Sequence, residues 1–287
     1  MQRSWSLLSL VSITLFAMIM IGCGSAGSSV VASNSGAPGS PAASPTPVAS
    51  PTPVAAPTPT PAPGTPASTV IDNVQDSPNW LTCGSCGNNG GTGPVATFAF
   101  TPGIAMPSES GRATNFSISA SVPFTNAYFY RQQPIISNQI NALTYEFDLY
   151  IPNGMQTAPQ AIEFECQQTL NGWVYNFAWQ AQYYGGNVWR TFDYGLQQWQ
   201  SANVVFTPFT AGTWHHIVAE YHNDIANHTV FHDAITVDGV RTVVGITHNA
   251  FFSGAANAQF TNAFQLDSNS TATPYNVYVD KMRITYQ

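Results

Sequence analysis

Thr144–Ile151 reads TYEFDLYI, and Ala161–Gln167 reads AIEFECQ. In the first segment Tyr145, Phe147, Leu149 and Ile151 fall on one side of an extended chain, and Glu146, Asp148 and Tyr150 on the other. In the second, Ile162, Phe164 and Cys166 oppose Glu163, Glu165 and Gln167. Successive side chains of a strand point to opposite faces, so this alternation predicts strands with one face against a core. The same period of two runs outward through Trp173–Tyr183, Val188–Phe192, Trp214–His222, Thr229–Val237, Val240–Gly245, Ala263–Asp267 and Asn276–Tyr286. Asp238-Gly239 joins two of these runs, and both residues tolerate the positive φ of a tight hairpin. No segment carries a 3.6-residue apolar period. Many short strands separated by turn residues predict an all-β domain, a two-sheet antiparallel sandwich or a barrel.

The strand pattern occupies residues 69–287, a length suited to one sandwich-sized domain. The residues before it differ in kind. Arg3 is followed by an apolar run from about Leu7 to Ile21 that ends at Gly22-Cys23, the layout of a secretory signal. The run is shorter than the roughly 20 residues a spanning helix needs. Met20-Ile21-Gly22-Cys23 resembles the lipobox of bacterial lipoproteins, with Met20 where Leu is usual. The resemblance implies cleavage after residue 22 and lipidation of Cys23; a cut after Ala32 would instead release a soluble protein. Residues 23–68 hold no charged side chain, and eleven of the 21 prolines lie between Pro38 and Pro66. Such a segment has no apolar surface with which to build a core and favours polyproline II. At full extension that Pro-rich stretch reaches on the order of 90 Å. The expected organisation is signal peptide 1–22, lipidated linker 23–68 and folded domain 69–287, displayed at the outer membrane or cell surface.

All fourteen acids lie in the folded domain, against six of the seven bases. Nucleic-acid binding needs a basic stripe, and the sequence has none. A surface poor in charge and rich in Asn, Gln, Ser, Thr and aromatics suits a neutral polymer.

Three strings carry a family resemblance. Gly212-Thr213-Trp214-His215-His216-Ile217-Val218 resembles the G-x-W-H-H-V strand of concanavalin A-like (laminin-G-like) jelly rolls. Pro107–Ala113 with Asn115-Phe116 resembles their S-x-x-G-x-A-x-x-F strand entry, and Tyr278–Ile284 their closing Y-x-D-x-x-x-I strand. The resemblance implies a jelly-roll sandwich with a sugar cleft on the concave face of one sheet. In that setting Glu146, Asp148, Glu163, Glu165, Gln167, Asn176, Gln180, His216 and Glu220 are the candidate cleft residues. Carboxylates and amides suit sugar hydroxyls, which need paired donors and acceptors.

Glu163-Phe164-Glu165 is the sharpest local signal, because residues two apart on a strand share a face with Cα atoms roughly 6.5 to 7 Å apart. Retaining glycosidases hold two carboxyls about 5 to 5.5 Å apart. Laminarinase-type glucanases of this fold use E-x-D-x-E on one strand. The resemblance would make Glu163 the nucleophile and Glu165 the helper, with Gln167 where the acid/base belongs. A Gln cannot donate and recover a proton, so hydrolysis would need an acid from another strand, Glu146 or Glu220. Carbohydrate binding is therefore the leading expectation. A glycoside hydrolase using Glu163 and Glu165 is the alternative, and a structural or adhesion module without a sugar ligand is the third.

Trp189 and Trp199 lie near turn-like sequence as stacking platforms or rim packing, while Trp173, Trp179 and Trp214 read as core. His216, Glu220 and His222 share a strand face without a zinc motif. Asp72 and Asp280, near opposite ends of the domain, are candidates for a structural calcium of the kind some members seat. Cys83-Gly84-Ser85-Cys86 predicts a local disulfide, and Cys166, on the apolar face of its strand, a buried thiol.

Overall fold

A computed structural model describes residues 68–83, 96–133, 136 and 139–287. Cys23, the signal segment, the Pro-rich linker and Cys86 lie outside the described residues, as does the side chain of Cys83.

The strands in chain order are β1 (Thr69–Ile71), β2 (Leu81–Cys83), β3 (Thr97–Ile104), β4 (Ala113–Ser119), β5 (Asn126–Gln132), β6 (Ala142–Tyr150), β7 (Pro159–Leu170) and β8 (Gly172–Gln182). They continue as β9 (Val188–Asp193), β10 (Gln198–Val205), β11 (Trp214–Asp224), β12 (Thr229–Val237), β13 (Val240–Asn249), β14 (Phe251–Ala255), β15 (Gln259–Ser268) and β16 (Tyr275–Tyr286). One sheet runs β13-β12-β11-β6-β16-β4-β3, with β1 on β16; the other runs β10-β9-β8-β7-β15-β5-β2, with β14 on β8. All pairings are antiparallel, and the two sheets pack as a jelly-roll sandwich. The all-β expectation holds.

The inward halves of the alternating patterns meet between the sheets. Phe147 of one sheet packs edge-on against Phe164 of the other with ring centroids 4.9 Å apart, and Phe116 packs on Phe129 and Phe264 at 5.0 and 5.2 Å. Cys166 is a free thiol with 0% exposure in this core, as its strand position predicts. Each wholly buried Phe contributes roughly 1.5 to 3 kcal/mol of transfer free energy, so the aromatic interior holds the sheets together. The β12–β13 hairpin turns at Asp238 and Gly239 with φ of 50° and 80°, as their sequence predicts. Asn171-Gly172 makes an equivalent turn between β7 and β8 with φ of 51° and 83°.

Two tryptophans sit otherwise than their sequence context suggests. Trp189 is buried in the core against Trp179 and Phe206, so it is no platform for a ligand. Trp214 pairs with Tyr150 on the outer side of its sheet, half-buried, with ring centroids 5.3 Å apart. Alternation fixes the two faces of a strand but not which one meets the core.

Two of the motif strings dock on each other. Asp280, from the closing strand, accepts six hydrogen bonds: Ser108 Oγ, Glu109 N and Ser110 N at Oδ2, and Ser110 Oγ, Gln75 Nε2 and Lys281 N at Oδ1. Burial alone would push this carboxyl up, but the hydrogen bonds from Ser110, Ser108 and Glu109 outweigh it and hold it below the ordinary range. Asp72 pairs with Arg283 at 2.5 Å. Asp72 and Asp280, the two acids considered for a structural calcium, are thus engaged by different partners. N–H and O–H donors fill the Asp280 oxygens, Asp72 has a different partner, and no cluster of three metal-ligating side chains occurs among the described residues.

Candidate functional site

The candidate cleft residues divide between the two sheets. Glu146 and Asp148 on β6 neighbour His216 and Glu220 on β11, in the first sheet. Glu163, Glu165 and Gln167 on β7 neighbour Asn176 and Gln180 on β8, in the second. All point away from the core, and the outer faces of a sandwich point away from each other. The chain crosses from one sheet to the other between β6 and β7, so two similar alternating segments present their polar halves to opposite sides. A single groove lined by Glu146, Glu163, Glu165, Gln180 and His216 is therefore not formed.

On the first sheet the polar side chains satisfy one another. His216 Nδ1 meets Asp148 Oδ1 at 2.7 Å, and Lys281 Nζ meets Asp148 Oδ2 at 3.1 Å and Glu109 at 2.5 Å. Arg241 forks onto both oxygens of Glu220 at 2.8 and 2.7 Å, and that hydrogen bond holds the Glu220 carboxyl below the ordinary range. Neither Glu146 nor Glu220 reaches the Glu163 face, so neither is the missing acid for hydrolysis there.

The second sheet carries the denser arrangement. The pairing places Ser201, Arg190, Gln180, Glu163, Gln265 and Tyr128 in one rung across β10, β9, β8, β7, β15 and β5. The neighbouring rung carries Ala178, Glu165, Ala263 and Tyr130, with Trp199 paired to Phe192 on its β10 side. The small side chains of Ala178 and Ala263 stand on either side of Glu165 in this rung. Trp199 packs edge-on to Phe192 at 5.1 Å, and Tyr128 stacks near Tyr130 at 5.8 Å.

The carboxylates organise the amides around them. Glu163 Oε1 accepts from Gln180 Nε2 at 2.5 Å, and Oε2 from Gln265 Nε2 at 2.7 Å. Gln265 Nε2 also donates to Asp267 Oδ1 at 2.9 Å. Glu165 Oε1 accepts from the Tyr128 hydroxyl at 2.5 Å, and Oε2 from Asn176 Nδ2 at 3.0 Å. Glu163 and Glu165 are only 6% and 7% exposed, so their charge is costly. Burial pushes Glu163 well up, and the adjacent Asp267 raises it further by charge and by hydrogen bond. Asp267 is itself pushed up to about 7 by burial. Crowding of the two carboxyls disfavours the state in which both are ionised. Burial also raises Glu165, with the bonds from Tyr128 and Asn176 opposing the rise.

Several amide groups remain half-used. Asn176 Oδ1, Gln180 Oε1, Gln182 Oε1 and Gln265 Oε1 are buried with no hydrogen-bond partner in the protein. Each such atom costs roughly 1 to 3 kcal/mol, so a run of them on one face is a feature that folding alone does not favour. Gln182, Gln265, Asp267 and Tyr128 escaped the sequence reading. Gln265 and Asp267 were visible as alternate positions of Ala263–Asp267, but nothing local in the sequence says that β15 lies beside β7.

Comparison with solved structures returns β-sandwich proteins at low identity. The chain is similar to carbohydrate-binding modules of the β-sandwich superfamily described for promiscuous specificity, at 12% identity and TM-score 0.37, covering 71% of this chain and 56% of that one. It is similar to the family 11 carbohydrate-binding module of Clostridium thermocellum in complex with a β-1,3-1,4-mixed-linked tetrasaccharide, at 12% identity and TM-score 0.37, covering 76% and 94%. A carbohydrate esterase from the Shiga toxin-encoding bacteriophage phi24B aligns at 11% identity and TM-score 0.43, covering 73% and 90%. No protein-family model and no curated protein sequence matches the chain.

Proposed function

We propose that the domain binds carbohydrate on the outer face of the Glu163 sheet, and that the linker displays it from a lipidated Cys23 at the cell envelope. The observation that carries the binding reading is the set of buried amide groups without partners around Glu163 and Glu165, flanked by Trp199, Phe192 and Tyr128. Sugar rings present hydroxyls that donate and accept in the plane of the ring and apolar C–H faces above and below it. A floor of amides and carboxylates with aromatic margins answers both.

Hydrolysis is the second reading, favoured by one observation. Glu163 is raised by burial and by the neighbouring Asp267, beside a second carboxyl at Glu165, and carboxyls of unequal acidity are what a glycosidase uses as acid and base.

One experiment separates these readings. The protein is passed over a panel of immobilised polysaccharides, and the soluble fraction is assayed for new reducing ends, with Glu163→Gln and Glu165→Gln beside the wild type. The expected result is retention without turnover, weakened by about tenfold or more in both variants, the scale of one lost charge-assisted hydrogen bond. Reducing ends released by the wild type and abolished in both variants would make the domain a hydrolase. Neither retention nor turnover would leave a structural or adhesion module. The anchoring half is tested by Cys23→Ser, which should lose incorporated fatty acid and leave the membrane fraction.

A further inference from the structure

The partnerless polar atoms on the Glu163 face are unequal in kind. Asn176, Gln180 and Gln265 each turn their N–H₂ group onto a carboxylate of Glu163, Glu165 or Asp267, and Gln182 turns its own onto the Tyr184 carbonyl. Their four carbonyl oxygens are left buried and without a donor. The orientation is the favoured one wherever the facing carboxyl is ionised, since the flipped amide would then set C=O against O⁻. Asn126 Oδ1 on β5, paired across to Asp267, is a fifth unmet acceptor. Acidic groups have the same bias: the carboxyls of Glu163, Glu165 and Asp267 stand on these rungs, and Arg190 is the one basic side chain described on them.

A ligand that completes this face must bring more donors than acceptors and no negative charge. A carboxylate or sulfate donates nothing and would meet three carboxyl groups. A hydroxyl donates one hydrogen and also needs donors for itself. A protonated amine donates three and accepts none. We infer that the glycan bound here carries free protonated amines, a chain of 2-amino-2-deoxy sugars, in preference to neutral or uronic chains. The inference rests on the carbohydrate-binding reading above and narrows it to one ligand class.

The test is titration calorimetry of the whole protein, at near-neutral pH, with short oligosaccharides of matched length. The set is glucosamine oligomers, their fully N-acetylated counterparts, cello-oligosaccharides and oligo-uronates. The glucosamine oligomers should bind about tenfold or more tightly than the N-acetylated chain, which keeps the ring but loses charge and donors; uronates should not bind. Glu165→Gln should erase most of that preference. Asp233→Asn, an acid on the opposite sheet, should leave it intact. Equal or tighter binding of the N-acetylated, neutral or uronic chains would overturn the inference while leaving carbohydrate binding standing. A preference lost equally in Asp233→Asn would assign it to overall acidity and overturn it as well. Binding of no oligosaccharide at all would instead remove the reading on which the inference rests.

Discussion

Replacing Asp267 by Asn should stabilise the protein above neutral pH, although it alters a buried, hydrogen-bonded side chain. Burial raises the Asp267 carboxyl to about 7, against 3.8 for the free group. Between those values the native state holds a proton that the unfolded chain has released. Stability contributed by this group is therefore complete below about pH 4, falls as pH rises through the window, and is lowest above about 7. A displacement of about 3 units at about 1.36 kcal/mol each gives a ceiling of about 4 kcal/mol. Because Glu163 and Asp267 titrate as a coupled pair, about 2 kcal/mol is the working expectation for the variant at pH 8. The Asn side chain still offers an oxygen to Gln265 Nε2, and removing the charge relieves Glu163, whose elevation owes part of its size to Asp267. Urea unfolding followed by tryptophan fluorescence, from pH 4 to 8, reads the effect as the difference between variant and wild type. The difference is needed because His232 and His248, both lowered chiefly by burial, pull the other way. Below about 6.5 the unfolded chain protonates these histidines more readily, so their contribution rises with pH. Parallel stability curves for wild type and variant across the whole range would refute the account of an Asp267 carboxyl raised by burial.

Two further outcomes follow from single contacts. Gly212 has φ of +76°, and a Cβ there would lie 2.5 Å from Asn153 Oδ1, so Gly212→Ala should cost about 1 to 3 kcal/mol, seen as a drop in Tm of several degrees. Asp280→Ala leaves the Ser108 and Ser110 hydroxyls and three backbone N–H groups without their acceptor, and should cost about 3 kcal/mol or more in urea.

The resemblance strings and the structure meet most directly at Asp280. In the sequence it looked like half of a cation site. In the fold it clamps the Ser108–Ser110 turn to the closing strand, a role that depends on two segments about 170 residues apart. Glu163 and Glu165 were legible because strand geometry forces residues two apart onto one face. Glu146 and Asp148 follow the same rule equally well, yet they belong to the other sheet.

The sequence by itself determined that residues 69–287 are rich in strand, and which half is apolar in each clearly alternating segment, because these depend on local periodicity and composition. Only the tertiary structure decided which strands are neighbours. That settled whether a polar row becomes a self-satisfied ion-pair network, as around His216 and Glu220, or a buried set of carboxylates and half-used amides, as around Glu163 and Glu165. The physical reason is that hydrogen-bond satisfaction is a property of side chains brought together from distant strands. Alternation along one strand carries no record of its partner.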